Sequence, residues 1–334
     1  MTSPGAEKKS KAIPLETYQE YLEAKRVVDL RCLNRRVYNA FRARVETFRD
    51  PFLLDLGTGT GLMIRKLLGL RPQGDTLIYG IDLDERNCSA ALRLIVRALV
   101  RSGYHVHVRG RDGPEEGTAM GIVASLQGRR IRVEIRNADV LEPEASWLPG
   151  DGAFDAVTAN AFMDLVPLEE TVQRINCFLK PQGLFYATIN YDGVTTLLPP
   201  FRDREFERDL LDNYNFAMDR RRVHGMATGG SRSGSRLFGV LSERGFRIVE
   251  LGSSDWTVGP KAGEYERLEK SFVRAILQMI YEEGIANGMQ HSGRLESWRA
   301  ERLDALERGE LSFMNHQIDL LAQKEPGIED HARD

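Results

Sequence analysis

The chain has 334 residues, of which 42% are hydrophobic, and a formal net charge of −3 at pH 7. This length suffices for one large domain or for a core with an appended module, and no apolar run approaches the length that crosses a bilayer, so a membrane protein is not expected. The near-neutral charge provides no concentrated positive surface, and a nucleic-acid partner is not expected either.

The N-terminal part of the chain divides into a polar tail and a helical segment. Residues 1–13 are polar and basic and lack the apolar stretch of a secretory signal, which indicates a disordered tail. Residues 14–49 are predicted to be helical, because apolar and aromatic side chains such as Tyr18 and Leu22 recur at helical spacing. A second tail is expected at residues 326–334.

Strands and helices alternate between residues 50 and 260, which we predict to be the core domain. Five buried strands are predicted at 52–56, 76–81, 131–135, 153–159 and 184–189. Helices between them predict a doubly wound α/β fold, in which a parallel sheet is covered on both faces. Residues 103–130, rich in glycine and charge, are predicted to be an insertion with a small hairpin through 106–108.

The sequence after the fifth strand predicts a different organisation. Residues 246–251 and 256–258 are predicted to form a closing hairpin, and residues 261–325 are predicted to be helical. This helical extension either covers a pocket at the carboxyl edge of the sheet as a lid, with His316 or Gln317 facing that pocket, or forms the interface of a homodimer.

The most informative motif is a glycine turn between the first strand and the following helix, D-L-G-T-G-T-G at residues 55–61. Its third glycine comes one residue earlier than in the dinucleotide pattern G-x-G-x-x-G. The carboxylate of Asp55 would repel a pyrophosphate but attract a ligand with an ammonium or a sulfonium group. The turn therefore predicts a ligand that is cationic at this point.

Two further carboxylates follow the second and third strands. Asp82 ends the second strand, where a carboxylate can accept hydrogen bonds from both hydroxyls of a ribose. Asp139 follows the third strand and could accept a hydrogen bond from an adenine amino group. The alternatives are that the glycines serve only the tight turn and that Asp82 caps the next helix.

With these motifs the chain resembles the class I S-adenosylmethionine-dependent methyltransferases. The resemblance covers about residues 50–258 and depends on five motifs in order: D-L-G-T-G-T-G, G-I-D-L-D, N-A-D-V, F-D-A-V-T-A-N and L-K-P-Q-G. It implies a Rossmann-like sheet of seven strands with a reversed last strand, here with N- and C-terminal helical additions. It also implies S-adenosylmethionine as cofactor, bound by Asp55, Gly57, Thr58, Gly59, Gly61, Asp82, Leu83, Asp139, Val140 and Asn160.

The acceptor side of the site is less defined. The fourth strand ends in A-N-A-F-M-D at 159–164, without the N-P-P-Y tetrapeptide or the Pro-Cys pair of enzymes that methylate nucleobases or glutamine amides. The acceptor-side candidates are Tyr191 and His316, each with the alternative of a buried, satisfied side chain. We treat the remaining histidines as surface residues: His105, His107, His224 and His291.

The sequence thus predicts an enzyme that transfers a methyl group from S-adenosylmethionine to a small molecule. The alternatives are an RNA or protein methyltransferase and a non-catalytic protein that binds S-adenosylmethionine. Three separated cysteines, Cys32, Cys88 and Cys177, disfavour a disulfide framework and a zinc site. We therefore expect no metal and a reducing, cytoplasmic environment.

Overall fold

The computed structural model describes residues 15–109, 120–142, 149–289 and 293–326. The tail predicted at residues 1–13, nearly all of the second tail, the middle of the insertion and His291 lie outside these ranges.

Among the described residues, ten strands form one sheet. They are β1 (Phe52–Leu56), β2 (Thr76–Asp82), β3 (His105–Arg109), β4 (Met120–Leu126), β5 (Arg129–Asn137), β6 (Phe154–Asn160), β7 (Leu179–Leu198), β10 (Phe246–Ser253), β11 (Trp256–Val258) and β12 (Ser312–Lys324). The order is β10-β12-β7-β6-β1-β2-β5-β4-β3, and β11 pairs with β12. The strands β8 (Arg222–Val223) and β9 (Met226–Ala227) form a separate hairpin.

The helices are α1 (Leu15–Cys32), α2 (Arg35–Val45), α3 (Leu62–Leu67), α4 (Glu85–Arg101), α5 (Leu168–Phe178), α6 (Arg204–Asp219), α7 (Ser233–Glu243), α8 (Arg267–Ala286) and α9 (Arg294–Glu307). Several begin at a polar side chain that accepts a hydrogen bond from a first-turn N–H, as Asn34 does for α2 and Asp84 for α4. Because Asp84 caps α4, Asp82 is free of that role.

The predicted doubly wound α/β fold is confirmed. β1 pairs in parallel with β2 and β6, β2 with β5, and β6 with β7. Helices α5 and α7 bury their apolar side chains on one face of this sheet, and α2, α3 and α4 bury theirs on the other. A third apolar cluster joins α1, α6, α8 and α9 to β11 and β12.

The end of the chain corrects two predictions. Residues 312–324 form a strand, not a helix, and this strand lies between β10 and β7, antiparallel to both. The segments 246–251 and 256–258 do not pair with each other, because each pairs with β12. The helical prediction failed because a strand with neighbours on both sides shows weak alternation, and the spacing of Phe313, Gln317 and Leu321 also fits one helical face.

The reversed last strand is therefore present, but it is contributed by a segment beyond the predicted core boundary at residue 260. Seven strands, β1, β2, β5, β6, β7, β10 and β12, form the expected sheet. β3 and β4, which come from the insertion, extend it beside β5, and β11 adds a short tenth strand. Helices α8 and α9 are thus inserted between the last strands of the core.

Candidate functional site

The glycine turn connects β1 to α3 in a conformation that requires glycine. Gly57, Gly59 and Gly61 have φ values of 59°, 54° and 80°, which side-chain-bearing residues rarely adopt. A Cβ at Gly57 would lie 2.3 Å from the ring of Phe162, whereas a Cβ at Gly59 would meet no atom closer than 3.9 Å. The backbone at Gly59 is therefore open to close approach by a ligand.

A cavity of about 1990 Å³ begins at this turn and extends over the carboxyl ends of the central strands. Ligands of open α/β sheets bind at this edge. Of the predicted site residues, those that line the cavity are Asp55, Gly57, Thr58, Gly59, Asp82, Leu83, Asp139, Val140, Asn160 and Tyr191. Gly61 is not among the lining residues, because its Cα faces Ala91 and Ile95 of α4.

Asp55 is buried beneath the turn with one oxygen satisfied. Its Oδ1 accepts a hydrogen bond of 2.7 Å from Thr158 Oγ1, and its Oδ2 has no partner. Burial raises the pKa of this carboxyl to about 7. A cationic group nearby would favour the ionised form, so the site fits the positively charged ligand that the sequence predicts.

Asp82 is held in place by the turn and by the start of α4. Its Oδ2 accepts a hydrogen bond of 2.7 Å from Gly59 N, and its Oδ1 accepts bonds from Asp84 N and Asn87 Nδ2. Burial raises the pKa of Asp82. Leu83 follows with 70% of its surface exposed, which leaves an apolar side chain uncovered at the cavity wall. A ribose would match the carboxyl group of Asp82, and an aromatic base would match the apolar side chain of Leu83.

Asp139 has a partner that sequence reasoning missed. Its Oδ1 accepts a hydrogen bond of 2.8 Å from Leu141 N, and its Oδ2 lies 2.8 Å from Nε2 of His224, in the turn between β8 and β9. The sequence predicts His224 to be a surface residue, and 59% of its side chain is exposed beside this contact. Because 85 residues separate the pair, only the fold brings the β8–β9 hairpin to the expected adenine edge of the cavity.

Asp29 of α1 is a second missed residue, and it joins the N-terminal helix to the sheet edge. Its Oδ1 accepts a hydrogen bond of 2.9 Å from Trp256 Nε1, and its Oδ2 accepts one of 3.2 Å from Asn160 Nδ2 and pairs with Lys25. Both Asp29 and Lys25 line the cavity. This buried carboxylate fixes α1 over Asn160, one of the predicted cofactor residues.

Tyr191 lies on β7 in the cavity wall with its hydroxyl hydrogen-bonded. The hydroxyl donates to Asn215 Oδ1 at 2.8 Å and lies 3.0 Å from Thr195 Oγ1. Burial raises the pKa of Tyr191 to about 12. The phenol therefore stays protonated at neutral pH and is suited to positioning rather than to accepting a proton.

His316, the other acceptor-side candidate, is placed outside the cavity. It lies on β12, where alternate side chains face opposite sides of the sheet. Asn315 and Gln317 line the cavity, whereas His316 Nδ1 lies 2.7 Å from Asp255 Oδ1 on the other side. Of the two residues predicted to face the acceptor, Gln317 therefore lines the cavity and His316 does not.

Asp164, which follows β6, is a third missed residue. It lines the cavity, and burial raises the pKa of its carboxyl, while the positive charges of Arg221 and Lys25 oppose that rise. No side chain in the described ranges donates a hydrogen bond to it. Tyr214 of α6, whose pKa is also raised by burial, lines the same part of the cavity.

Helices α1, α6 and α8 line the cavity on the side facing away from the sheet. Tyr21 of α1 stacks on Phe272 of α8 with ring centroids 6.0 Å apart, and Arg31 forms an ion pair with Glu269. Side chains from all three helices line the cavity. Its far part is consequently a chamber beneath these helices with apolar walls, among them Trp256, Ile276 and Phe313.

No group of three or more His, Cys, Asp or Glu side chains in the part of the chain that the structure describes is placed to bind a metal ion. None of the described helices is long and apolar enough to cross a lipid bilayer.

Comparison with known proteins relates the chain to one family. A family profile described as a methyltransferase domain matches residues 29–251. None of the curated proteins compared with the chain matches it significantly. Solved structures that match include a protein assigned as a methyltransferase from Bacillus halodurans, which is 13% identical with a TM-score of 0.47, over 86% of this chain and 98% of that one.

Two other matching structures are enzymes with named substrates. Geranyl diphosphate C-methyltransferase from Streptomyces coelicolor is 11% identical with a TM-score of 0.41, and the match covers 86% of this chain and 77% of that one. Phosphoethanolamine N-methyltransferase 2 from Haemonchus contortus is 13% identical with a TM-score of 0.38, over 87% of this chain and 52% of that one.

Proposed function

The chain belongs to the family of methyltransferase domains, and on that premise we propose that it methylates a small molecule held between the glycine turn and helices α1, α6 and α8. The enzyme takes the methyl group from S-adenosylmethionine. The observation that carries the small-molecule proposal is the position of α1, α6 and α8 along the cavity at the sheet edge, because a polymer substrate needs an open face beside the reacting group.

The cofactor would occupy the end of the cavity at the glycine turn. The unpartnered Oδ2 of Asp55 suits the ammonium group, and the open backbone at Gly59 allows close approach. Asp82 would bind the ribose hydroxyls through the remaining lone pairs of its two oxygens, and exposed Leu83 would cover the adenine.

The other end of the adenine would lie against residues that follow β5. Val140 offers an apolar contact, and Asp139 offers a carboxylate that His224 already engages. Asn160, fixed by Asp29 and by a 2.8 Å hydrogen bond from Thr188 Oγ1, would stand between cofactor and acceptor. Gly61 and Thr58 would contribute by giving the glycine turn its conformation.

The methyl group of S-adenosylmethionine is bonded to a sulfonium sulfur. The leaving group is therefore a neutral thioether. The protein's part is to position the acceptor in line and to exclude water, which the packing of α8 on α1 supports. Where the acceptor must lose a proton, Asp164 is the candidate base, because it lines the cavity as a carboxylate with a raised pKa and no side-chain donor.

The test is methyl transfer from S-adenosylmethionine labelled in its methyl group to cell extracts separated into metabolites, RNA and protein. We expect label in the metabolite fraction with wild type, and at least about tenfold less with Asp82→Ala at limiting cofactor, because a buried hydrogen-bond acceptor is lost. Asp212→Ala, at an exposed position on α6, is the matched control. Label found only in RNA or protein would refute the small-molecule proposal, and binding without transfer would indicate a non-catalytic protein.

A further inference from the structure

A chain of hydrogen bonds leads from a backbone carbonyl to the wall of the acceptor chamber. It starts at the carbonyl of Gly193 in β7 and passes through five side chains from α6, β7 and β12: Asn215, Tyr191, Thr195, Asn315 and Gln317. Apart from the carbonyl, each of these groups can either donate or accept. The carbonyl at one end therefore determines the direction of every bond.

The direction follows from the number of protons that each group carries. Asn215 Nδ2 donates to Gly193 O at 2.9 Å, because a carbonyl only accepts. Asn215 therefore presents its Oδ1 to Tyr191, which donates its only hydroxyl proton there at 2.8 Å. The 3.0 Å contact between Tyr191 and Thr195 then requires Thr195 to be the donor.

The hydrogen bonds from Thr195 to the cavity have the same direction. Since the proton of Thr195 is used, its oxygen must accept, and Asn315 Nδ2 donates to it at 2.8 Å. Asn315 Oδ1 consequently accepts from Gln317 Nε2. This chain of hydrogen bonds ends at Gln317 Oε1, which has no hydrogen-bond partner. Gln317 lines the cavity and is only 1% exposed.

A buried carbonyl without a donor is unfavourable, and a ligand that supplies a donor removes this cost. The amide cannot turn to offer its N–H instead, because that would place two acceptors, Gln317 Oε1 and Asn315 Oδ1, against each other. Trp256 and Phe313 line the same cavity and are apolar. The wall therefore combines apolar surface with one hydrogen-bond acceptor of fixed orientation.

We propose that Gln317 is a specificity-determining residue that selects methyl acceptors carrying an N–H or O–H group on an apolar body. The inference rests on the proposed function, since it assigns the acceptor class of the same site. A site built to receive such a donor discriminates strongly against analogues that lack it.

The test measures binding of matched probe pairs to the full-length protein in the presence of S-adenosylhomocysteine. The pairs are phenol and anisole, indole and 1-methylindole, and aniline and N,N-dimethylaniline, with affinities from ligand-observed NMR titration. For wild type we expect each donor to bind at least about tenfold more tightly than its methylated counterpart. The variant Gln317→Met, which keeps the length of the side chain, should reduce this ratio to about one.

Gln323→Met, the same substitution at a half-buried, hydrogen-bonded position of β12 that does not line the cavity, is the control and should keep the wild-type ratio. If Gln317→Met does not fold, Thr195→Val provides a second variant. It frees Asn315 to turn and should lower the ratio at least about threefold.

S-adenosylhomocysteine affinity, measured by calorimetry, distinguishes a failure of the proposed function from a failure of the role assigned to Gln317. If wild type does not bind it, the proposed function fails and the inference fails with it. Three other results overturn only the assignment of Gln317, provided that wild type binds S-adenosylhomocysteine. The first two are that wild type binds the N–H and O–H probes no more tightly than their methylated counterparts, or does not bind them detectably. The third is that Gln317→Met keeps the wild-type preference.

Discussion

Replacing Asp55 by asparagine should stabilise the ligand-free protein at neutral and alkaline pH while weakening cofactor binding. Asp55 is 1% exposed, its Oδ2 has no partner, and burial raises its pKa from 3.8 to about 7. An asparagine of the same shape keeps the hydrogen bond from Thr158 and carries no charge. The substitution therefore removes the cost of ionising a buried carboxyl.

The magnitude follows from the linkage between protonation and folding. A carboxyl whose pKa is higher in the folded state binds its proton more tightly when folded, so its contribution to stability is full below pH 3.8 and is lost as pH rises to about 7. At 1.36 kcal/mol per pKa unit, this interval corresponds to about 4 kcal/mol. The free energy of unfolding of Asp55→Asn, relative to wild type, should rise by about this amount between about pH 4 and about pH 8.

Urea unfolding across this pH range measures the effect, with Asp212→Asn as an exposed control. A difference between Asp55→Asn and wild type that stays constant to within about 1 kcal/mol would contradict the reasoning about burial. Adding S-adenosylmethionine should stabilise wild type more than the variant, because only the ionised carboxylate attracts the ammonium group. Equal cofactor affinity in the two proteins would refute the assignment of Asp55.

Other substitutions separate the cavity from the scaffold around it. His316→Ala should change methyl transfer less than about twofold, as measured by turnover, because the side chain lies outside the cavity. Glu207→Ala should lower the free energy of unfolding by about 3 to 5 kcal/mol, because it leaves the buried Arg302 without its ion-pair partner. In the same denaturation assay, the control Glu205→Ala, at an exposed position, should change the free energy of unfolding by less than about 0.5 kcal/mol. Asp164→Asn should lower turnover without changing cofactor affinity in calorimetry, and the wild-type rate should rise with pH through a pKa above 3.8.

The candidate cofactor end of the cavity was accessible from sequence because its signals are local. The glycine turn needs positive φ values within five residues, Asp82 ends β2, and Asp139 lies two residues after β5. Carboxyl ends of parallel strands meet at one edge of a sheet, so placing the strands also places these side chains together. The alternation of apolar runs with helices predicted the parallel core for the same reason.

The acceptor end was decided by tertiary structure. Asp29 meets Trp256 across 227 residues, and Gln317 belongs to a hydrogen-bond chain whose members come from α6, β7 and β12. No local pattern predicts these contacts, because partners such as Trp256 for Asp29 and Thr195 for Asn315 lie far apart in the sequence.

The clearest contrast is between residues 52–56 and residues 312–324. The first segment is a strand by its own composition, a short apolar run ended by a glycine turn, and its sequence alone determined its role. The second carries a spacing that fits a helix as well as a strand, and it becomes a strand because β7 and β10 offer backbone hydrogen bonds on both of its edges. Sequence thus determined the candidate cofactor end of the cavity, whereas long-range strand pairing decided which side chains of β12 line its other end.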